Sequence, residues 1–253
     1  MISNKVKELL RSGRSVVGPF FTINAPDLVE IAAICGAEFG VLDMEHGPSS
    51  PESTVNLIRA AECRGLTPLV RVPNAEDSTI LKALDIGAHG IIVPQVNDRA
   101  TAERIVRACH YHPIGTRGLG LARAADYESI AVNDYFALVR EQLLIVAQCE
   151  SQQGLENVEQ IAATDYVDVV FLGPFDLSQS LGIPGETDHP LIRQAADRIV
   201  AACKAAGKIA GVFAGNGELA RQRMEQGFRL IAMGTDIGHF ASSVRRELAA
   251  FRG

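Results

Sequence analysis

Residues 143–174, LLIVAQCESQQGLENVEQIAATDYVDVVFLGP, decide the fold. Two apolar runs, LLIVAQCE (143–150) and VDVVFLGP (167–174), are separated by a largely polar stretch long enough to return the chain to the edge it left. Strands this uniformly rich in Val, Ile and Leu are covered on both faces, and parallel strands need a crossover of about a dozen residues or more. Outward from this unit the pattern recurs in SVVGPFF (15–21), FGVLDME (39–45), TPLVRVP (67–73), GIIVPQV (90–96), KIAGVFAG (208–215) and RLIAMGTD (229–236). That makes eight strands. Between them lie helix candidates PDLVEIAAIC, SPESTVNLIRAAECRG, DSTILKALDIGA, DRATAERIVRACH and HPLIRQAADRIVAACKAAG, several opened by Ser or Asp and closed by Gly. Eight such units in 253 residues predict an α/β fold, one (β/α)8 TIM barrel spanning residues 1–253. A doubly wound open sheet is the structural rival, because the pattern alone does not prove closure.

Bulk properties narrow the function classes. A hydrophobic fraction of 47% with only 21% charge supports a sizeable core. The net charge of −6 comes without a Lys/Arg stripe, which argues against nucleic acid as a partner. Five cysteines, an odd number without CxxC spacing, mostly sit in apolar segments and point to a reducing cytoplasm. The amphipathic start MISNKVKELLRSG is unlike a signal peptide, and no window approaches a membrane span, so no membrane association is expected. Two connections, 111–133 and 173–190, exceed the usual loop length and invite a functional reading. The last segment, HFASSVRRELAAFRG, reads as a helix that either closes this barrel or packs on a neighbour.

In this fold catalytic residues come from the C-terminal ends of strands. Sorting polar residues by strand end selects Asp43, Glu45 and His46 after strand two, Arg71 in strand three, Gln148 and Glu150 in strand five, and Asp176 after strand six. Glu150 and Asp176 are adjacent carboxylates without a nearby lysine, an arrangement that repels itself unless a hard divalent cation lies between them. The competing explanation is a helix-capping Asp176 and a Glu150 paired with a loop arginine. His46, followed by Gly47 and Pro48, is a candidate general base or a structural histidine. Arg71 interrupts an apolar strand, for anion recognition or for a structural ion pair. Asp85, at the end of a helix, either orients His46 or pairs with an arginine. GTRGLGLARAADY (115–127) reads as a lid or plug, while GNG (215–217) and GTDIG (234–238) keep a phosphorylated substrate open. No lysine falls at a strand end on the catalytic rim, which disfavours Schiff-base chemistry.

Six motifs, LDMEHGP (42–48), LVRVP (69–73), ALDIGAHGIIVPQV (83–96), YHPIGTRGLG (111–120), AQCES (147–151) and FLGPFDLSQSLGIPG (171–185), together resemble the HpcH/HpaI family of metal-dependent (class II) pyruvate aldolases, over nearly the whole chain from about residue 15. The resemblance implies a carbon–carbon lyase that cleaves a 4-hydroxy-2-oxo acid reversibly to pyruvate and an aldehyde. It implies a divalent metal on Glu150 and Asp176, Mg2+ or Mn2+, with Co2+ or Zn2+ as further candidates. Arg71 and Gln148 would bind substrate, with Gly173, Pro174, Phe175 and Asp176 offering backbone N–H groups to the pyruvate carboxylate. His46, held by Asp85, would move the proton. Many members have a small residue where this chain has Phe175, which puts the pocket's shape in question. Acyl-CoA ester lyase activity, oxaloacetate decarboxylation as in the related macrophomate synthase, and a non-enzymatic 2-oxo acid-binding barrel are the alternatives. The resemblance also implies a homo-oligomer, often a hexamer, with exchanged C-terminal helices.

Overall fold

The computed structural model describes residues 3–253. Strands form where the apolar runs lie: β1 (Val16–Phe21), β2 (Phe39–Asp43), β3 (Thr67–Arg71), β4 (Gly90–Val93), β5 (Leu144–Cys149), β6 (Val169–Leu172), β7 (Ile209–Ala214) and β8 (Leu230–Thr235). Each pairs in parallel with the next, and β8 pairs with β1, so the barrel is closed and the open-sheet rival is overturned.

Closure explains the uniform apolarity of the strands, because each strand buries both faces in different layers. Side chains such as Val41, Leu69, Val146, Val169 and Leu230 fill the barrel interior. Their neighbours in sequence, such as Leu42, Val70, Ile145 and Val170, pack outward against the helices. The amphipathic start forms α1 (Lys5–Arg11), whose Val6 and Leu10 join the interior cluster. Lys7 Nζ donates to the carbonyl of Leu143 and pairs with Asp168 at 3.0 Å, anchoring α1 across the rim where strands begin.

The expected helices appear as α2 (Pro26–Ile34), α3 (Pro51–Arg64), α4 (Asp77–Asp85), α5 (Arg99–Cys109), α10 (Pro190–Ala206) and α12 (Asp236–Arg252). The capping signals are real: Ser50 accepts from Ser53 N–H in a capping box, and Gly65 and Gly207 close α3 and α10 in the left-handed region. Helices α6 (Val132–Gln142), α7 (Gln152–Glu156), α8 (Val158–Ala162), α9 (Pro174–Ser180) and α11 (Gly217–Gln226) complete the set. Several of these are too short for a periodic apolar stripe, and α6 and α9 have no side-chain cap. The two long connections thus contain α9 and the start of α6.

One helix does not behave as a barrel layer. Beyond Asp236 no residue of α12 is buried, and Phe240, Val244, Leu248 and Phe251 lie exposed at helical spacing. Within this chain α12 meets the barrel at β1 and β8 and leaves that stripe uncovered. Among the described residues no helix is long and apolar enough to cross a membrane.

Candidate active site

Period-two alternation decides which side chains reach the barrel axis. Phe39 and Val41 of the interior lead to Asp43; Leu69 leads to Arg71; Leu144 and Val146 lead to Gln148 and then Glu150; Val169 and Phe171 lead to Gly173. Polar strand ends therefore converge above the apolar layers, on the rim where barrel enzymes carry their chemistry. Asp43, His46, Arg71, Gln148, Gly173, Pro174, Phe175 and Asp176 all line one cavity of about 360 Å3.

Arg71 meets two carboxylates. Its Nε donates to Asp43 Oδ1 at 2.9 Å and its Nη2 to Oδ2 at 2.6 Å, while Nη1 lies 3.1 Å from Glu45 Oε2. Parallel register places Asp43 directly beside Arg71. Burial opposes the arginine's charge, yet Asp43 and Glu45 outweigh it and hold its pKa above the ordinary value. The guanidinium also stacks 4.8 Å from the Phe20 ring centroid. Of the sequence options for Arg71 the structural ion pair is the one present, in a guanidinium that also lines the cavity. Asp43 Oδ1 also accepts from the backbone N–H groups of Glu45 at 3.0 Å and His46 at 3.3 Å, which ends β2 and sets His46 at the mouth.

Asp85 is not brought to His46. Helix α4 follows β3 down the outside of the barrel, so Asp85 lies at the rim where strands begin, opposite the mouth. Its Oδ1 accepts from Arg117 Nη2 at 2.9 Å. The pairing with an arginine is the observed one, and the role of holding His46 does not fall to Asp85 within this chain. The same arginine corrects the reading of 115–127 as a lid or plug. Arg117 also reaches Tyr135 Oη at 3.3 Å and Arg123 pairs with Glu62, which pins this connection against the outer helices. None of its residues lines the mouth cavity.

Glu150 is held by neighbours on two sides. Its Oε1 accepts from Gln95 N–H at 2.8 Å, with Gln95 in the left-handed region at φ 54°, and its Oε2 accepts from Gln148 Nε2. Burial pushes its pKa up to about 7; the Gln95 hydrogen bond pulls it down and the charge of Asp176 pushes it further up. Glu45 is likewise raised, first by burial, against the pull of Arg71 and His46. Asp176 stands in the first turn of α9, and no described residue hydrogen-bonds or ion-pairs with its carboxylate. The cap and the loop-arginine salt bridge that competed with metal binding are therefore absent among the described residues.

The donor set fits a hard divalent cation. Asp43 and Glu45 pair with Arg71 and the charge of Glu150 reaches it, while the charge of Asp176 acts on Glu45 and Glu150. Gln148 Oε1 is buried without a partner on the cavity wall. Among the described residues no three His, Cys, Asp or Glu side chains converge into a closed cage. Two carboxylates beside a buried amide oxygen suit a hard divalent cation that keeps water and substrate oxygens among its ligands. Gly173 makes room for this arrangement: a Cβ there would lie 2.6 Å from Glu150 Oε2 and 2.9 Å from Gln148 Nε2.

Sequence reasoning missed Phe20, Thr22, Phe171, Phe213 and Thr235, which also line the cavity. Inward parity in β6 and β7 was a usable signal for Phe171 and Phe213. Thr235 had none, because a register shift between β1 and β8 sets it, rather than Gly234, opposite Phe20. The phosphate options weaken: Asn216 Oδ1 accepts from Leu219 N–H and Thr235 Oγ1 from Gly238 N–H, so both side chains cap helices. Lys208 Nζ donates to the carbonyls of Thr164 and Val167 on the opposite rim, as its position at the start of β7 implies.

Known proteins match this arrangement over its full length. The family model described as HpcH/HpaI aldolase/citrate lyase covers residues 16–243. A hydroxypyruvate/pyruvate aldolase from Pseudomonas aeruginosa is 36% identical over 252 residues, 99% of this chain and 93% of that protein. A 5-keto-4-deoxy-D-glucarate aldolase from Citrobacter koseri is 35% identical over 98% of this chain and 96% of its own. The crystal structure of a family protein from Burkholderia cenocepacia superposes with a TM-score of 0.94 at 34% identity, covering 99% of this chain and 100% of that one. Macrophomate synthase superposes with a TM-score of 0.85 at 26% identity, covering 98% of this chain and 87% of that one. An eight-stranded parallel barrel with this mouth, matched end to end by aldolases, is a carbon–carbon lyase, and the chain belongs to the HpcH/HpaI aldolase/citrate lyase family.

Proposed function

We propose that this enzyme cleaves a 4-hydroxy-2-oxo acid reversibly to pyruvate and an aldehyde, with Glu150 and Asp176 holding Mg2+ or Mn2+. The observation that carries this reading is the unpartnered Asp176 carboxylate and the orphaned Gln148 Oε1 on the cavity wall with Arg71, while Glu150, which does not itself line the cavity, is hydrogen-bonded to Gln148 and repelled by the charge of Asp176. A cation bound there would supply Lewis-acid charge beside the keto oxygen of the 2-oxo acid. Arg71 adds fixed positive charge where the enolate oxygen develops, and Asp43 keeps its guanidinium from turning away. Gln148 orients substrate or water through its free oxygen. The amides of Phe175 and Asp176 open α9 beside the pyruvate carboxylate. His46, set by Asp43, carries the proton between water and the aldol hydroxyl. Among the described residues Arg71 is the one basic side chain of the cavity apart from His46, which leaves a coenzyme A thioester without a phosphate cluster.

The test is exchange of pyruvate methyl protons with deuterium in protein loaded with Mn2+ or Mg2+; absence of exchange would sink the reading. His46→Ala should bind the metal normally and lose most retro-aldol turnover, on the order of 10²-fold or more. Unchanged turnover would remove His46 from the mechanism.

Metal binding should depend on pH through Glu150. Its raised pKa means that the metal-free fold holds a proton there that the unfolded chain has already lost. That contribution to stability is therefore complete below the ordinary carboxylate range and is lost as pH rises through about 7. A cation must displace the proton, so affinity should climb with pH and level off above about 7. Calorimetry in buffers of different ionisation enthalpy should find close to one proton released per metal near pH 6 and almost none near pH 8. Equal release at both values would contradict this account.

The assembly we propose is a homo-oligomer in which α12 packs on a neighbouring copy, with a hexamer as the expected size and a cytoplasmic setting. Its support is the apolar stripe Phe240–Val244–Leu248–Phe251 and the exposed Ile31 and Ile34 of α2, surfaces that a second copy would cover. Val244→Asp should shift the sedimentation coefficient toward the monomer; an unaltered oligomer would overturn the proposal.

A further inference from the structure

Three phenylalanine rings form one wall of the mouth. Phe175 and Phe213 have ring centroids 5.9 Å apart at an interplanar angle of 64°, and Phe213 and Phe20 repeat that spacing and angle. The row starts at the rim, where Phe175 is 56% exposed, and ends inside beside the guanidinium of Arg71. A ring left this open to water contributes little to folding, because burial is the source of its stabilisation. All three rings line the cavity. The two hydroxyls that line the cavity are each partly engaged: Thr22 Oγ1 donates to Asp236 Oδ1 at 2.8 Å, and Thr235 Oγ1 accepts from Gly238 N–H at 3.0 Å. A polyol laid along the three rings would surrender water and find few matching partners, whereas an apolar chain would gain by the same contact.

We infer that the wall Phe20–Phe213–Phe175 is the subsite for the aldehyde, and that the enzyme prefers aldehydes whose chain beyond the carbonyl is aromatic or otherwise apolar over polyhydroxylated ones. The inference rests on the aldolase reading above and names its second substrate class. In the addition direction the methyl carbon of pyruvate, having given up one proton, forms a bond to the aldehyde carbonyl carbon. The carbonyl π pair moves to its oxygen, which takes up a proton and becomes the 4-hydroxyl; cleavage reverses each transfer. With the keto oxygen of pyruvate at Arg71 and its carboxylate at the amides of Phe175 and Asp176, the aldehyde's chain lies against the faces of the rings.

The experiment compares pyruvate addition to benzaldehyde and to glyceraldehyde by the Mn2+-loaded enzyme and by Phe175→Ala and Phe175→Leu, each rate normalised to that variant's pyruvate proton exchange. The wild type should favour benzaldehyde in kcat/KM by about tenfold or more. Phe175→Ala should bring the ratio close to parity, mainly through KM, and Phe175→Leu should recover part of it. Saturation-transfer NMR of benzaldehyde with the same proteins supplies a readout without turnover, and its ring signals should weaken in Phe175→Ala. A ratio that Phe175→Ala leaves unchanged, or a wild type that favours glyceraldehyde, overturns the inference. Loss of proton exchange with Phe175-dependent benzaldehyde binding intact would instead remove the aldolase mechanism and leave the apolar subsite standing.

Discussion

Arg71→Ala is expected to lower kcat/KM for retro-aldol cleavage by roughly 10²- to 10³-fold, the cost usual for removing one fixed donor from a developing oxyanion. It is also expected to destabilise the fold, because it strands Asp43, 1% exposed, and the half-buried Glu45 without their cation. Breaking a buried ion pair from one side costs about 3–5 kcal/mol, which for a chain of this size lowers Tm by roughly 10 °C. Arg71→Lys separates the two effects. A lysine restores one charge and part of the stability, but it cannot make two parallel bonds to Asp43, so activity should stay low. Kinetics well below the melting temperature, alongside thermal melts, decide the matter; Arg71→Lys with wild-type turnover would show that charge alone suffices.

Gly173→Ala should cost activity and metal affinity far more than stability. The backbone there is ordinary, at φ −92°, so conformational freedom is not the reason for glycine. Space is: the added carbon would press on Glu150 Oε2 and Gln148 Nε2, both closer than real Cβ contacts allow. Those two side chains must turn away, and the carboxylate that faces Asp176 leaves its position. Displacing a catalytic group by about 1 Å costs on the order of 10²-fold in turnover, and divalent affinity should fall by about tenfold or more, with a smaller loss of Tm because the two tightest neighbours are side-chain ends and only Glu150 Cβ, at 3.0 Å, is fixed to the backbone. Gly215→Ala is the control from the end of β7, where a Cβ meets nothing within 4 Å. Calorimetric metal titrations of both variants check the prediction, and equal affinities would refute it.

Both predictions depend on residues that differ in how far their sequence revealed them. All eight strands were readable because a strand buried on two faces needs an unbroken apolar run, a local property of a few consecutive side chains. The polar residues that break those runs at their C-terminal ends, Arg71, Gln148 and Glu150, were readable for the same reason. Alternation carried Asp43 and Gly173 to the same mouth once the interior file of each strand was known. The short helices α7, α8 and α9 were not readable, since five to seven residues cannot display a helical period.

What the sequence determined by itself, then, was the eight strand–helix units, the rim at which their polar residues gather and the family motifs along it, because each is encoded within single βα units; closure came from the pairing of β8 with β1. Only the tertiary structure decided who meets whom. Asp85 finds Arg117 because the ends of helices lie opposite the ends of strands. Thr235 reaches the cavity through a register shift that exists only where β8 meets β1. The Phe20–Phe213–Phe175 wall draws on β1, β7 and α9, and the apolar stripe of α12 stays exposed although the helix meets β1 and β8. Such pairings are set by barrel closure, which brings residues far apart in the chain to within a few ångströms, and no local pattern records that distance.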